Sequence, residues 1–298
     1  MKNKIFFRGT GTALVTPFKD DGSVDTNSLK KLVKYQVVNG VDAVIPAGTT
    51  GESATLSDKE QAQVIETVAS AAGGKIRIIA GAGSNSTVKA IALAKHALEC
   101  GADGILSVGP YYNKPTQEGF FRHYASIAEA VDAPLIVYNV PGRTGSNIEA
   151  ATVLRIAEEI PNIAGIKEAS GNFVQIMEIL RSRPDHFGVW SGDDALTLPM
   201  LALGADGVIS VVANEAPKLF SRMVNLCLKG NFSHAREIHN RLLPLMNINF
   251  VESSPIPVKA ALAMMGLISE RYRLPLVPLG DKHRPVLEKI LEQLGLLD

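Results

Sequence analysis

Residues 162–183 read NIAGIKEASGNFVQIMEILRSR and contain an apolar run, a small polar loop and a helical stretch, in that order. The run IAGI (163–166) has the length of a buried strand, and NFVQIMEILRSR (172–183) carries apolar residues at helical spacing. The strand is followed directly by Lys167, although lysine is among the residue types that are least often fully buried. The segment therefore predicts a strand and a helix, with an ammonium group where the strand ends.

The same strand–helix pattern occurs about eight times between the N-terminus and Gly230. Strands that alternate with helices indicate a parallel sheet, and eight such units close most naturally into a (β/α)8 TIM barrel. The alternative is a doubly wound open sheet, which normally has fewer strands. The predicted strands and the loops that follow them are GTALVTPF, DAVIPAGTTGES, RIIAGAGSNS, DGILSVGPYYNKP, PLIVYNVPGRTG, IAGIKEASG, FGVWSGDD and DGVISVVANEAP.

The pattern changes after Gly230. The remaining sequence reads as about three helices with no strand between them: NFSHAREIHNRLLPLMNINF, SPIPVKAALAMMGL and DKHRPVLEKILEQLGLL. This tail is too short for an independent core. The sequence therefore predicts a barrel over residues 1–230 and a C-terminal three-helix region over residues 231–298, packed on the barrel or on another subunit.

Helix-end signals support these boundaries. Ser57 is followed three residues later by Glu60, which is the pattern of a capping box at a helix start. Gly40, Gly101 and Gly204 each follow a helical run, where a residue in the left-handed conformation is expected.

The charge balance excludes several classes of partner. The chain has 30 basic and 30 acidic side chains among 298 residues. This balance argues against a broad basic face for nucleic acid.

No apolar run approaches the roughly 18 residues of a membrane span, and MKNKIFFRGT has no apolar segment long enough for a signal peptide. Two cysteines, Cys100 and Cys227, fit a reducing compartment. We therefore expect a cytoplasmic protein that binds neither nucleic acid nor membrane.

Lys167 is the first candidate for chemistry, because active sites of such barrels lie at the C-terminal ends of the strands. Burial disfavours an ammonium ion and lowers the pKa of lysine from its usual value of about 10.4. A neutral amine attacks carbonyl groups and forms an imine. The alternative is a structural lysine paired with Glu168, but neighbouring residues of a strand face opposite sides.

Tyr138 is the second candidate. It closes PLIVY on the preceding strand, and the ends of adjacent strands lie about 5 Å apart, so its phenol is placed to exchange protons near Lys167. The alternative is a tyrosine half-buried at the rim of the barrel.

Two loops at strand ends are candidates for binding carboxylates. The segment AGTTGES offers the hydroxyls of Thr49 and Thr50 and several backbone N–H groups. It lacks the lysine of a phosphate-binding loop, so we expect it to bind a small keto acid rather than a phosphate. The alternative is a plain strand–helix turn that binds no ligand. Arg143 in VPGRTG can hold a second carboxylate in a two-point contact, unless it is simply a solvated loop residue.

Other signals do not predict a site. The six histidines show no metal-ligand spacing with one another, so they do not predict a metal site. Asp193 and Asp194 are successive residues that point apart, and a helix N-terminal cap explains them better than a catalytic pair. The loop tip at residues 111–114 (YYNK) is interpreted as a rim, a lid or a subunit contact.

Six motifs at strand ends carry a family resemblance. GTTGES, PYYNKPTQEG, YNVPGRTG, GIKEASGN, SGDDA and GVISVVAN occur in this order, and together they resemble the pyruvate-dependent class I aldolase superfamily of dihydrodipicolinate synthase and N-acetylneuraminate lyase. SSPIPVKAALAMMGL and YRLPLVP resemble the dihydrodipicolinate synthase branch in particular. The resemblance runs from about Gly9 to the C-terminus.

The resemblance implies roles for eight residues. Lys167 forms an imine with pyruvate. The implied proton relay consists of Tyr138, Thr49 and Tyr112, the last of which reaches in from a neighbouring subunit. The implied substrate contacts are Thr50 for the pyruvate carboxylate, Arg143 for the carboxylate of L-aspartate 4-semialdehyde, and backbone groups of Gly192 and Ile209.

The implied reaction condenses pyruvate with L-aspartate 4-semialdehyde on the diaminopimelate route to lysine, in a homotetramer built from tight dimers. It needs no metal or organic cofactor. The alternative with the same chemistry is N-acetylneuraminate lyase or another pyruvate-dependent sugar-acid aldolase, and Arg143 favours the acceptor that carries a carboxylate. Two other classes of function are a non-catalytic keto-acid sensor and a phosphosugar isomerase. The sequence shows no clear phosphate-binding loop at residues 209–214, which argues against the isomerase.

The resemblance also bears on inhibition. Family members that L-lysine inhibits bind it at positions equivalent to Ala54, Asp58, Asn85, Lys89 and Tyr111, with glutamate at the position of Lys89 and histidine at that of Asp58. The ammonium group of Lys89 repels that of the ligand. We therefore expect weak or absent inhibition by lysine.

Overall fold

Eight parallel strands close into a barrel in the computed structural model, which describes residues 5–297. The strands pair in chain order, and the last pairs with the first. The predicted TIM barrel is confirmed, and the alternative of an open sheet is wrong. The strands are β1 Gly9–Ala13, β2 Ala43–Ile45, β3 Arg77–Gly81, β4 Gly104–Val108, β5 Leu135–Asn139, β6 Ile163–Glu168, β7 Gly188–Ser191 and β8 Gly207–Ser210.

Twelve α-helices accompany these strands in residues 5–297. The short helix after β5 was not predicted. The three C-terminal helices were predicted and are confirmed. The helices are α1 Thr26–Val38, α2 Asp58–Ala72, α3 Thr87–Glu99, α4 Gln117–Ala130, α5 Pro141–Thr144, α6 Ala150–Glu159, α7 Phe173–Ser182, α8 Thr197–Ala202, α9 Pro217–Leu228, α10 Phe232–Ile248, α11 Ile256–Met264 and α12 Arg284–Leu294.

The predicted helix ends agree with the structure. The Ser57 hydroxyl accepts the N–H of Glu60, and the Glu60 carboxylate accepts the N–H of Ser57, which completes a capping box. Gly40, Gly101 and Gly204 have φ of 80°, 95° and 98°, the left-handed region that only glycine enters without strain.

Two apolar layers hold the barrel together. Alternate strand residues face inwards, where Phe7 stacks on Trp190 with ring centroids 4.7 Å apart on the N-terminal side. The intervening residues face the surrounding helices and join a larger outer core. The polar cavity described below lies at the opposite end, beyond this apolar plug.

Strand β6 contains a bulge that sets which side chains enter the barrel. Leu135 pairs with Ile163, but the next residue of β5 pairs with Gly165, so Ala164 is an extra residue. Gly165 has φ of 153°, and a Cβ there would lie 2.1 Å from the carbonyl oxygen of Gly188. Ala164 packs inside the barrel, and Lys167, three residues later, also faces inwards.

The C-terminal helices contact the barrel through buried polar groups and a shared apolar core. Asn249 donates to the Glu215 carboxylate at 2.8 Å, and Leu242 and Leu287 belong to the outer core. The division into residues 1–230 and 231–298 stays a proposal, because one core runs through both regions. Residues 1–4, within the segment where we expect no signal peptide, and residue 298 lie outside the described residues.

Candidate active site

A cavity of about 500 Å3 opens at the C-terminal ends of the strands, where the sequence places the site. Its walls come from β2, β5, β6 and the loops that follow them, with a contribution from the segment between α10 and α11. Six of the eight predicted site residues line it: Thr49, Thr50, Tyr138, Arg143, Lys167 and Gly192.

Lys167 is buried, with 6% of its surface exposed, and its Nζ lies 4.3 Å from the centroid of the Tyr138 ring. Burial lowers the pKa of Lys167 to about 8. The negative charge of Asp194 opposes this shift, and the positive charge of Arg143 adds to it. The amine is therefore uncharged in a useful fraction of molecules near neutral pH.

Glu168 faces away from the barrel interior, as the alternation of strand residues predicts. Its carboxylate accepts hydrogen bonds from the amides of Asn139 and Gln175 at 3.0 and 3.1 Å. Lys167 takes part in none of the ion pairs among residues 5–297. The interpretation of Lys167 as the partner of Glu168 is therefore wrong.

Tyr138 stands beside Lys167 because the two residues are paired in the β5–β6 register. Tyr138 is buried rather than half-exposed at the rim. Burial raises the pKa of its phenol to about 12, opposed by the positive charge of Arg143. The phenol therefore keeps its proton at neutral pH and is able to donate it to a developing oxyanion.

The turn after β2 presents the two threonines. A hydrogen bond of 3.1 Å from the Glu52 N–H to the Thr49 carbonyl oxygen closes this turn. Thr16 Oγ1 donates to the Gly51 carbonyl oxygen at 2.7 Å and ties the turn to β1. Thr50 is buried and Thr49 is exposed, so the two hydroxyls lie at different depths of the cavity wall.

Arg143 lies in helix α5 at the mouth of the cavity. Its Nη2 donates to the carbonyl oxygen of Ser254 at 3.4 Å, which links the mouth to the C-terminal region. The rest of the guanidinium is exposed and faces the cavity, so a carboxylate entering the site meets it.

Gly192 provides the space that the lysine needs. A Cβ at this position would lie 3.1 Å from Lys167 Cε and 2.6 Å from Ala169 Cβ. A side chain here would therefore displace the reactive amine.

Two predicted residues do not line the cavity of the single chain. Tyr112 has φ of 69° and is 89% exposed, so it projects away from its own site. Ile209 is buried on β8 in the barrel interior, in the same apolar layer as Tyr138.

The interpretation of Asp193 and Asp194 as a helix N-terminal cap is wrong, because α8 begins at Thr197 after Leu196 and has no side-chain cap. Asp193 accepts the N–H groups of Ala195 and Leu196, at 2.9 and 3.3 Å. Asp194 is buried, accepts the N–H groups of Val211 and Val212 at 3.0 and 2.9 Å, and acts on Lys167 electrostatically.

No cluster of three or more His, Cys, Asp or Glu side chains suited to a metal occurs within residues 5–297. In the same range, none of the helices has the length and apolar character needed to cross a bilayer. Cys100 and Cys227 are buried free thiols.

The sequence model of the dihydrodipicolinate synthetase family matches residues 6–294. The chain belongs to this family. A curated relative from Prosthecochloris aestuarii, named 4-hydroxy-tetrahydrodipicolinate synthase, is 54% identical over 289 residues, which are 97% of each chain.

Two solved structures of family members extend the comparison. The chloride-inhibited dihydrodipicolinate synthase from Acinetobacter baumannii, complexed with pyruvate, is 47% identical with a TM-score of 0.96, over 98% of this chain and 100% of that one. DHDPS from Cyanidioschyzon merolae with lysine bound is 46% identical with a TM-score of 0.96, over 99% and 100%. The resemblance drawn from the six motifs is confirmed, and the family favours the synthase over the N-acetylneuraminate lyase alternative.

Proposed function

We propose that the chain has 4-hydroxy-tetrahydrodipicolinate synthase activity, which condenses pyruvate with L-aspartate 4-semialdehyde on the diaminopimelate route to lysine. The observation that carries the proposal is the buried Lys167 amine, whose pKa is lowered to about 8 and which lies 4.3 Å from the centroid of the Tyr138 ring. The family of the chain and the pyruvate-bound relative support the choice of substrate.

In the first half of the proposed reaction, the uncharged Lys167 amine attacks the keto carbon of pyruvate. The carbinolamine then loses water, and its oxygen must receive protons before it leaves. The Tyr138 ring lies beside the amine, so its phenol donates these protons, and Thr49 with Tyr112 of a neighbouring subunit completes the relay. The product is an imine whose methyl group loses a proton to give a nucleophilic enamine.

The substrates are held by their carboxylates in this proposal. Thr50 and the backbone N–H groups of its turn bind the pyruvate carboxylate, and Arg143 binds that of the semialdehyde. Backbone groups of Gly192 and Ile209 complete the contacts. Because the two carboxylate sites lie on different loops, the reacting carbon atoms meet above Lys167.

In the second half, the enamine carbon attacks the aldehyde of the semialdehyde and forms the new carbon–carbon bond. The amino group of that substrate then displaces Lys167 from the imine carbon, which closes the ring and frees the lysine. The protonated imine accepts the electron pair, so the route needs no metal or organic cofactor.

The proposed enzyme is a homotetramer built from tight dimers. The exposed position of Tyr112, away from the cavity of its own chain, supports a role in the site of a partner subunit. The two free thiols fit the cytoplasmic location that we propose.

The test is mass spectrometry of the protein after incubation with pyruvate and borohydride, followed by peptide mapping. We expect one adduct on Lys167, none in Lys167→Ala, and an unchanged adduct in the control variant Lys229→Ala, which alters an exposed lysine. A keto-acid sensor gives no adduct, and an adduct mapped to another lysine contradicts the proposal.

A screen of acceptors then separates the synthase from the sugar-acid aldolases. We expect turnover with L-aspartate 4-semialdehyde and little with N-acetylmannosamine. The reverse preference contradicts the proposed substrate.

A further inference from the structure

We propose that the buried ion pair between Glu52 and Lys259 positions the turn that carries Thr49 and Thr50, so that the C-terminal region completes the pyruvate carboxylate site. Lys259 is a positioning residue in this proposal, since it acts through Glu52. The inference rests on the proposed function.

The pair is enclosed on all sides. Lys259 Nζ lies 2.5 Å from Glu52 Oε1, and the two side chains are 0% and 1% exposed. The ammonium group also lies over the rings of Phe18 and Tyr272, 4.4 and 5.2 Å from their centroids. The N–H of Arg273 approaches the other Glu52 oxygen at 3.5 Å.

Stability alone does not account for such a pair. Removing two charges from water is costly, and apolar side chains of similar volume often serve as well or better. A buried pair does define one geometry, because both charges must meet to avoid an uncompensated charge.

Glu52 belongs to the substrate-binding turn itself. Its φ of 55° lies in the left-handed region, which a residue with a Cβ adopts only when its surroundings impose it. Its N–H closes the turn onto the Thr49 carbonyl oxygen at 3.1 Å, and its own carbonyl oxygen accepts the Thr55 hydroxyl at 3.1 Å. The Lys259 contact anchors the side chain of the same residue, and thereby its backbone.

Arg273 anchors the same turn from a second direction. Its guanidinium donates to the carbonyl oxygens of Gly22 and Thr55 at 2.8 and 2.7 Å and pairs with Glu60 at the start of α2. Both cationic anchors come from the segment after residue 230, and both act behind Thr49 and Thr50. The C-terminal region therefore determines the shape of a site whose reacting groups all belong to the barrel.

The test compares the Michaelis constants of the two substrates in Glu52→Gln, which keeps the size of the side chain and removes its charge. We expect KM for pyruvate to rise about 10-fold, because small displacements of binding groups have large kinetic effects. We expect KM for the semialdehyde to stay within about 2-fold, because its carboxylate binds at Arg143.

The matched control is Arg183→Met, which breaks a largely buried pair with Asp206 at the N-terminal ends of β7 and β8, where Asp206 keeps its second partner, Arg8. We expect both variants to lower Tm, and only Glu52→Gln to change KM for pyruvate. The double variant Glu52→Gln/Lys259→Met leaves no buried charge unpaired. It therefore keeps the fold even if the single variant does not, and we expect it to show the same rise in KM for pyruvate.

An unchanged KM for pyruvate in the double variant overturns the inference, as does an equal rise in Arg183→Met. Failure of the wild-type chain to form the borohydride adduct with pyruvate would contradict the proposed function instead, so the two failures are distinguishable.

Discussion

Lys167 combines burial with the absence of an ion-pair partner among the described residues, and this combination makes its amine reactive. Burial lowers its pKa to about 8, and the nearby Asp194 keeps the shift from going further. At pH 7 a group with that pKa is uncharged in about one tenth of molecules, against fewer than about one in a thousand for a free lysine. The surroundings of Lys167 thus supply an uncharged amine, which is the nucleophile of the proposed reaction.

The pH dependence of imine formation follows from this pKa. Only the uncharged amine attacks pyruvate, so we expect the single-turnover rate to rise with pH up to about 8 and to level off above it. Stopped-flow mixing with pyruvate, with borohydride trapping at each pH, measures the profile. A rate that continues to rise towards pH 10 contradicts the expectation.

Asp194→Asn tests the electrostatic part of this argument. The carboxylate favours the ammonium form of Lys167, so its removal lowers the pKa of Lys167 and moves the profile to lower pH. An unchanged or upward shift would show that Asp194 does not act on the lysine.

A single side chain, that of Lys89, underlies our expectation of weak inhibition by L-lysine. Lys89 lines the same cavity as Lys167, and its positive charge would repel the ammonium group of a free lysine molecule. We expect the wild-type enzyme to keep most of its activity at millimolar lysine in steady-state assays, and Lys89→Glu to become more sensitive by about 10-fold or more.

Lys95→Glu, an exposed residue on the same helix, is the control for the change in net charge. Strong inhibition of the wild-type enzyme by micromolar lysine is the outcome that rejects the role assigned to Lys89.

Strand β6 shows how one element sets the direction of the reactive group. The extra residue Ala164 changes the alternation, so that Ile163 and Ile166 face the outer core while Ala164 and Lys167 face the interior. The bulge requires Gly165, because φ there is 153° and a Cβ would lie 2.1 Å from the Gly188 carbonyl oxygen.

We expect Gly165→Ala to destabilise the fold by about 2–4 kcal/mol, because the clash involves backbone on both sides. Urea unfolding followed by circular dichroism measures the change. Gly142→Ala is the control, since a Cβ there meets nothing within 4 Å and φ is not in the left-handed region. Equal stability of the two variants contradicts the role of the bulge.

The whole molecule determines whether the proton relay is complete. Tyr112 is 89% exposed in the single chain and does not line its cavity, whereas Tyr138 and Thr49 do. A site that needs Tyr112 therefore requires a second chain, and activity then depends on assembly.

Subunit complementation tests this dependence. We expect Tyr112→Phe and Lys167→Ala each to be nearly inactive alone. The activity of Tyr112→Phe should fall below that of the wild type by about 10-fold or more. After mixing, dissociation and reassembly, a hybrid dimer contains one site with both native residues, so activity returns to about a quarter of wild type or less. No recovery in hybrids that form, as shown by sedimentation, means that Tyr112 acts within its own chain.

The sequence by itself determined the barrel and the location of the site. Hydrophobic periodicity and helix caps are local properties, so eight strand–helix units were readable without any knowledge of contacts. The ends of parallel strands meet at one edge of a sheet, and this rule alone predicts that Tyr138 and Lys167 lie close together.

Only the tertiary structure decided the properties that depend on partners distant in sequence. The bulge that turns Lys167 inwards lies in the pairing of β6 with β5, and the backbone of β7 at Gly188 leaves no room for a side chain at Gly165. Two further features have no signal in the neighbouring sequence. They are the burial of the Asp194 carboxylate and the pairing of Glu52 with Lys259 across 207 residues. Burial and charge depend on which groups surround a side chain, and a pattern of neighbours along the chain does not contain that information.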